Sequence, residues 1–153
     1  MGIKEKILTK SLYVFHLSSG SCNNCDIEII DCFTPRYDIE RFGIVLVGSI
    51  KHADVLLCTG SANRLTIPII KELYEQMPKP GFVVAFGACG SSRGLFKDSY
   101  NTGKPLDEII PVDMYIPGCP PRPEAIIAGL VKLIGKLTAK PSLRGAIATK
   151  QSK

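Results

Sequence analysis

Six cysteines stand in this 153-residue chain, and four of them sit in settings that invite metal or redox chemistry. Cys22 and Cys25 form a C-x-x-C pair inside SSGSCNNC, Cys89 stands in GACG, and Cys119 stands in PGCPP. A thiolate is a nucleophile and a soft metal ligand. Four of them gathered at one place suit a zinc ion or an iron–sulfur cluster. Zinc usually shows two C-x-x-C pairs at ribbon spacing. One doublet plus two singles better suits a cluster held at its corners from three loops. The proline after Cys119 has a counterpart after a ligand cysteine in the ferredoxin run. A thioredoxin-like redox pair at Cys22 and Cys25 is a third option, but it leaves Cys89 and Cys119 unexplained. Cys58 lies inside an apolar strand and Cys32 on the first helix, and both read as buried free cysteines acting as small hydrophobes.

For the four thiols to meet, the chain must close separations of 64 positions (25 to 89) and 30 positions (89 to 119). An open parallel sheet does this, because the carboxyl ends of its strands share one edge. Residues 11–17 (SLYVFHL), 44–47, 54–58 (DVLLC), 82–86 (FVVAF) and 114–116 read as strands. Residues 26–33, 65–76 and 123–137 read as helices, with Pro68 placed in a first turn, where a missing N–H costs nothing. Strands alternating with helices imply a parallel sheet covered on both faces. The unbroken apolar runs DVLLC and FVVAF fit strands buried on both sides. The expected fold class is therefore α/β, a flavodoxin-like, doubly wound parallel sheet in a single domain. No internal repeat is present. Residues 90–111 read as a long irregular loop, which is uncommon unless functional.

Composition bounds the remaining classes. Hydrophobic residues make up 45% and charged residues 22%, an ordinary globular balance. No run of 18 apolar residues exists to span a bilayer. The first ten residues lack the apolar core of a signal peptide. A cytoplasmic setting with reduced thiols is expected, with a membrane reached through partner subunits. The net charge is +5, and Lys140, Arg144, Lys150 and Lys153 bring much of it, without a balancing acid, to the C-terminal end. That stretch reads as a solvated tail. No basic patch is interleaved with aromatics, which disfavours nucleic-acid binding.

Three segments, SGSCNNCDIEI, GACG and IPGCPPRPEAI, together resemble the small subunit of energy-converting, membrane-bound [NiFe]-hydrogenases. The domain is also similar to the complex I subunit that carries the terminal cluster. The resemblance spans roughly residues 11–137. It implies one [4Fe–4S] cluster on Cys22, Cys25, Cys89 and Cys119, beside a large catalytic subunit. A ferredoxin-type iron–sulfur subunit would supply electrons, and membrane subunits would associate indirectly, at the cytoplasmic face. The chain itself would be a peripheral, non-catalytic electron-transfer subunit of an oxidoreductase complex. Complex I relatives typically have adjacent first cysteines, whereas two residues separate them here, as on the hydrogenase side. Related complexes reduce sulfur compounds or quinones instead of protons, and these remain alternatives. A structural zinc module or a flavin carrier is a further one, although Cys22 and Cys25 occupy the loop a flavin phosphate would need.

The implied layout is a short extension over 1–10, the cluster domain over 11–137 and a basic tail over 138–153. Asp26 and Glu28 follow the C-x-x-C, where helix capping and dipole compensation account for both. Glu28 is also a candidate proton relay at the large-subunit interface. His16 reads as a core histidine that can hydrogen-bond near the cluster. Arg122 reads as a positive charge near the cluster sulfurs or as an interface residue.

Overall fold

The computed structural model describes residues 11–139. The expected extension over 1–10 lies outside the described residues, as does the basic tail, apart from the two residues of it that close the last helix. Five strands form one parallel sheet: β1 (Leu12–Ser18), β2 (Ile44–Leu46), β3 (Val55–Thr59), β4 (Phe82–Phe86) and β5 (Met114–Ile116). Their order is β2-β1-β3-β4-β5, the flavodoxin-like arrangement. Among the described residues, five α-helices accompany them: α1 (Asn24–Asp31), α2 (Thr66–Gln76), α3 (Gly87–Ser92), α4 (Leu106–Ile109) and α5 (Pro123–Ala139).

Side chains alternate across each strand, so one apolar run feeds two cores. Val55 and Leu57 of β3, with Val84 and Phe86 of β4, pack under Ile29 of α1 and Ile126 and Leu130 of α5. Leu56 and Cys58, with Val83 and Ala85, pack on the opposite face with Ile70 of α2 and Leu106 of α4. Every residue of β3 is buried, as DVLLC predicts. Pro68 occupies the third position of α2, inside its first turn.

Two expectations need correction. Residues 90–111 are not one irregular loop. They hold the end of α3, a 3-10 turn at Gly94–Phe96 and the short α4. Helices this short leave too little periodicity to read from the sequence. Also, α1 starts at Asn24, two residues early, so Cys25 lies in its first turn.

Cys32 and Cys58 are buried in opposite cores, as expected of thiols read as small hydrophobes. Burial pushes both thiols up to about 12, and for Cys32 the charges of Asp31, Glu28 and Glu124 add to it. A raised thiol pKa keeps the unreactive protonated form below that pH. Native-state alkylation read by mass spectrometry should spare both residues, and denaturation should expose both. Modification of either in the folded chain at the rate of an exposed thiol would contradict their placement.

Candidate metal centre

The carboxyl edge of the sheet gathers the cysteine loops. β1 ends at Ser18 ahead of Cys22 and Cys25, β4 ends at Phe86 ahead of Cys89, and β5 ends at Ile116 ahead of Cys119. β3, between β1 and β4, brings Thr59 and Gly60 to the same edge. Chain direction across the sheet reverses between β1 and β3, and such a switch point is where open α/β sheets bind their ligands.

Hydrogen bonds tie these loops together. Ser19 donates its N–H to the Thr59 carbonyl at 2.9 Å and its hydroxyl to the same oxygen at 2.7 Å. The Ser61 hydroxyl donates to the Arg93 carbonyl at 3.1 Å, beside Cys89. Ala88 donates its N–H to the Gly118 carbonyl at 2.7 Å, joining the β4 and β5 loops. Gly87 has φ +76°, and a Cβ there would lie 3.1 Å from Cys25 Sγ. The backbone of one cysteine loop thus passes directly over the thiol of another, which only glycine permits at that φ.

Cys25 is buried, Cys89 half-buried, and Cys22 and Cys119 exposed. Burial, followed by the charges of Cys22, Cys89, Asp26 and Cys119, pushes the Cys25 thiol up to about 11. Burial and Cys119 also raise the Cys89 thiol, while a hydrogen bond from Ser61 opposes this. Neighbouring cysteines thus add to the raised thiols of Cys25 and Cys89. A cationic core reverses such a shift, because a coordinating thiol is deprotonated outright. The donor set fits a thiophilic metal centre. Among the described residues, no three His, Cys, Asp or Glu side chains close on a single-ion site.

A polar network lies under the C-x-x-C loop. Asp26 Oδ1 accepts from Thr59 Oγ1 at 2.7 Å and lies 2.9 Å from His16 Nε2. Asp26 Oδ2 accepts a very short hydrogen bond from the Ser21 hydroxyl. His16 Nε2 is also 3.0 Å from Thr59 Oγ1. Burial opposes the Asp26 charge, but the bonds from Ser21 and Thr59 and the nearby His16 outweigh it and hold the carboxyl below its ordinary range. The capping expectation for Asp26 is thus corrected: the start of α1 has no side-chain cap, and the carboxylate turns to the strand ends instead. The sequence held a signal for this. Alternate positions 12, 14, 16 and 55, 57, 59 share one sheet face, and each apolar series ends on a polar residue, His16 and Thr59.

Glu28 is half-buried, and its charge bears on the Cys32 thiol. Arg122 is exposed, and its carbonyl accepts from Ala125 and Ile126 at the start of α5. Large apolar side chains stand exposed in the segments that follow the cysteines. Ile27 and Ile30 of α1 are 57% and 63% exposed, and Leu95, after α3, is 94% exposed.

This site defines a flavodoxin-like chain whose sheet edge presents four cysteines in place of a nucleotide loop. Residues 22–133 match the family described as the NADH ubiquinone oxidoreductase 20 Kd subunit, and the chain belongs to that family. The match starts at Cys22 and takes in all four cysteines. A probable membrane-bound hydrogenase subunit, mbhJ, of Pyrococcus furiosus is 54% identical over 132 residues, covering 86% of this chain and 79% of that protein. An NADH-quinone oxidoreductase subunit of Citrifermentans bemidjiense is 47% identical over 113 residues, covering 74% of this chain and 66% of that one. Among solved structures, a chain of the membrane-bound sulfane sulfur reductase, an archaeal respiratory membrane complex, superposes with a TM-score of 0.80 at 38% identity. The superposition covers 92% of this chain and 77% of that one. These relatives are subunits of oxidoreductase complexes, and the chain is a subunit of that kind.

Proposed function

We propose that Cys22, Cys25, Cys89 and Cys119 hold one [4Fe–4S] cluster, and that the chain relays electrons to a large catalytic subunit of a membrane-bound, hydrogenase-like complex. The observation that carries this is the gathering of the three cysteine loops at one sheet edge, with the backbone at Gly87 seated over the Cys25 thiol. When bound, such a cluster accepts and passes on single electrons. The chain's own residues supply the rest. Cys25 is buried against the backbone at Gly87, which limits water there, and hydrogen bonds tie the cysteine loops to one another and to the end of β3. A ferredoxin-type subunit is the proposed donor. The exposed apolar residues around the site support a protein cover. Among the described residues no helix is long and apolar enough to cross a membrane. Peripheral attachment at the cytoplasmic face, through membrane subunits, is the reading that goes with the relatives. Iron and acid-labile sulfide assays on the anaerobically purified complex, with low-temperature EPR after reduction, test the cofactor. One zinc and no sulfide would sink the relay.

A second reading keeps the relay and changes its terminal acceptor to a sulfur compound, and the 0.80 superposition on the sulfane sulfur reductase chain favours it. Hydrogen evolution assayed against sulfur reduction in the same complex separates the two. A quinone acceptor is supported less well, because the NADH-quinone oxidoreductase relative aligns with 74% of this chain against 92% for the sulfane sulfur reductase chain.

Glu28 carries the proton-relay proposal. Its half-buried position in α1, three residues beyond Cys25, supports the role. Glu28→Gln keeps the shape and removes the acid–base group, so turnover is expected to fall about 100-fold or more, within the range general acid–base groups supply. Turnover at the wild-type rate would remove Glu28 from the proton path.

A further inference from the structure

The network under the C-x-x-C loop does more than hold it. We propose that Asp26 is a positioning and charge-setting residue whose carboxylate, seated by Thr59, His16 and Ser21, lowers the reduction potential of the bound cluster. The inference rests on the cluster reading above.

Three observations converge on it. First, Asp26 is next in sequence to Cys25, and both lie in the first turn of α1. Second, its side chain is only 14% exposed, so water screens that charge poorly. Third, it accepts from Thr59 at 2.7 Å and from Ser21, with His16 Nε2 at 2.9 Å, so side chains from β1, β3 and the intervening loop all fix one carboxylate. Thr59 is fully buried, so water does not compete for its hydroxyl proton. Hydrogen bonds to a carboxylate favour its charged form. Reduction adds one negative charge to a cluster already ringed by thiolates. A fixed negative charge nearby opposes that addition, and net charge around a cluster is among the factors that set its potential. Capping accounts for none of this, because the carboxylate caps no helix N–H.

The mechanism makes two variants move in opposite directions. Asp26→Asn removes the charge and keeps the shape. Thr59→Val keeps the charge and removes a donor that partly neutralises it. Both are made in the full complex, purified anaerobically and titrated at pH 8 by EPR against redox mediators. Asp26→Asn is expected to favour reduction about tenfold, which for a one-electron couple reads as ~59 mV upward. Thr59→Val is expected to shift the equilibrium about threefold the other way. Rescue is expected from Asp26→Glu, whose potential should lie nearer the wild type than that of Asp26→Asn. Wild-type iron and sulfide are measured first. Their absence refutes the cluster reading itself, separately from this inference. With the cluster present, unchanged potentials, or shifts of the same sign in Asp26→Asn and Thr59→Val, overturn the role of Asp26. Should Asp26→Asn lose the cluster, Thr59→Val decides alone: a downward shift supports the inference and an unchanged potential ends it.

Discussion

Cys89→Ala and Cys119→Ala each leave a folded chain with no reducible cluster signal and with electron transfer through the complex reduced at least about 100-fold. That magnitude is set at the upper end of what substitutions behind the ligands cost, since a direct ligand matters more. The fold is expected to survive because neither thiol builds the core. Cys119 is exposed and Cys89 half-buried, and both lie outside the two apolar clusters. The matched controls are Cys32→Ala and Cys58→Ala. These thiols are buried in the cores, one just past the end of α1 and one within β3, so they report packing alone. Each control is expected to cost about 1–2 kcal/mol of stability from lost burial and a small cavity while retaining full iron and sulfide. The comparison needs only metal analysis, EPR and a denaturation curve on four variants. Full cluster content in Cys89→Ala or Cys119→Ala would remove that residue from the ligand set. Loss of the cluster in Cys58→Ala without loss of fold would put Cys58 into the ligand set instead.

Much of this arrangement was legible because it depends on patterns that recur along the chain. FVVAF and MYI have the bounds read from the sequence, and the uninterrupted apolar runs correctly implied two covered sheet faces. Once the sheet is parallel, the positions of Cys22, Cys89 and Cys119 just past strand ends place them on one edge without further information. Two features escaped for physical reasons. The turns of α3 and α4 are four to six residues long, shorter than the span over which helical periodicity declares itself. Asp26 escaped because a carboxylate near a helix start has an inexpensive local explanation in the helix dipole. Two of its three side-chain partners, His16 and Thr59, are 10 and 33 positions away. Only the strand register brings them together, and that register is a tertiary fact. Reading where each apolar alternation turns polar would have pointed to both partners, since the buried faces of β1 and β3 end at His16 and Thr59 on the side where the chemistry sits.

Gly60→Ala tests whether the β1 and β3 loops must touch for the site to exist. Gly60 follows β3 with φ +81°, a left-handed conformation that costs an L-residue roughly 1–2 kcal/mol. A methyl group there would sit on the Ser21 amide nitrogen and the Gly20 carbonyl carbon, both backbone atoms that cannot swing aside as a side chain can. Forced overpacking adds about 1–3 kcal/mol. Together these give a loss of about 2–5 kcal/mol, a large part of the stability of a domain this size. The damage also has a direction. To relieve the clash, Ser21 must move away from β3, and Cys22 is the next residue. Ser21 is also a donor to Asp26. A lower urea midpoint should therefore come with lost iron, in a way that a core substitution of equal cost does not produce. Gly48→Ala is the control, because an added methyl there meets nothing within 4 Å. It is expected to change stability by about 0.5 kcal/mol or less. If Gly60→Ala unfolds at the wild-type midpoint and keeps its iron, the close seating of the two loops is not what holds Cys22 in place.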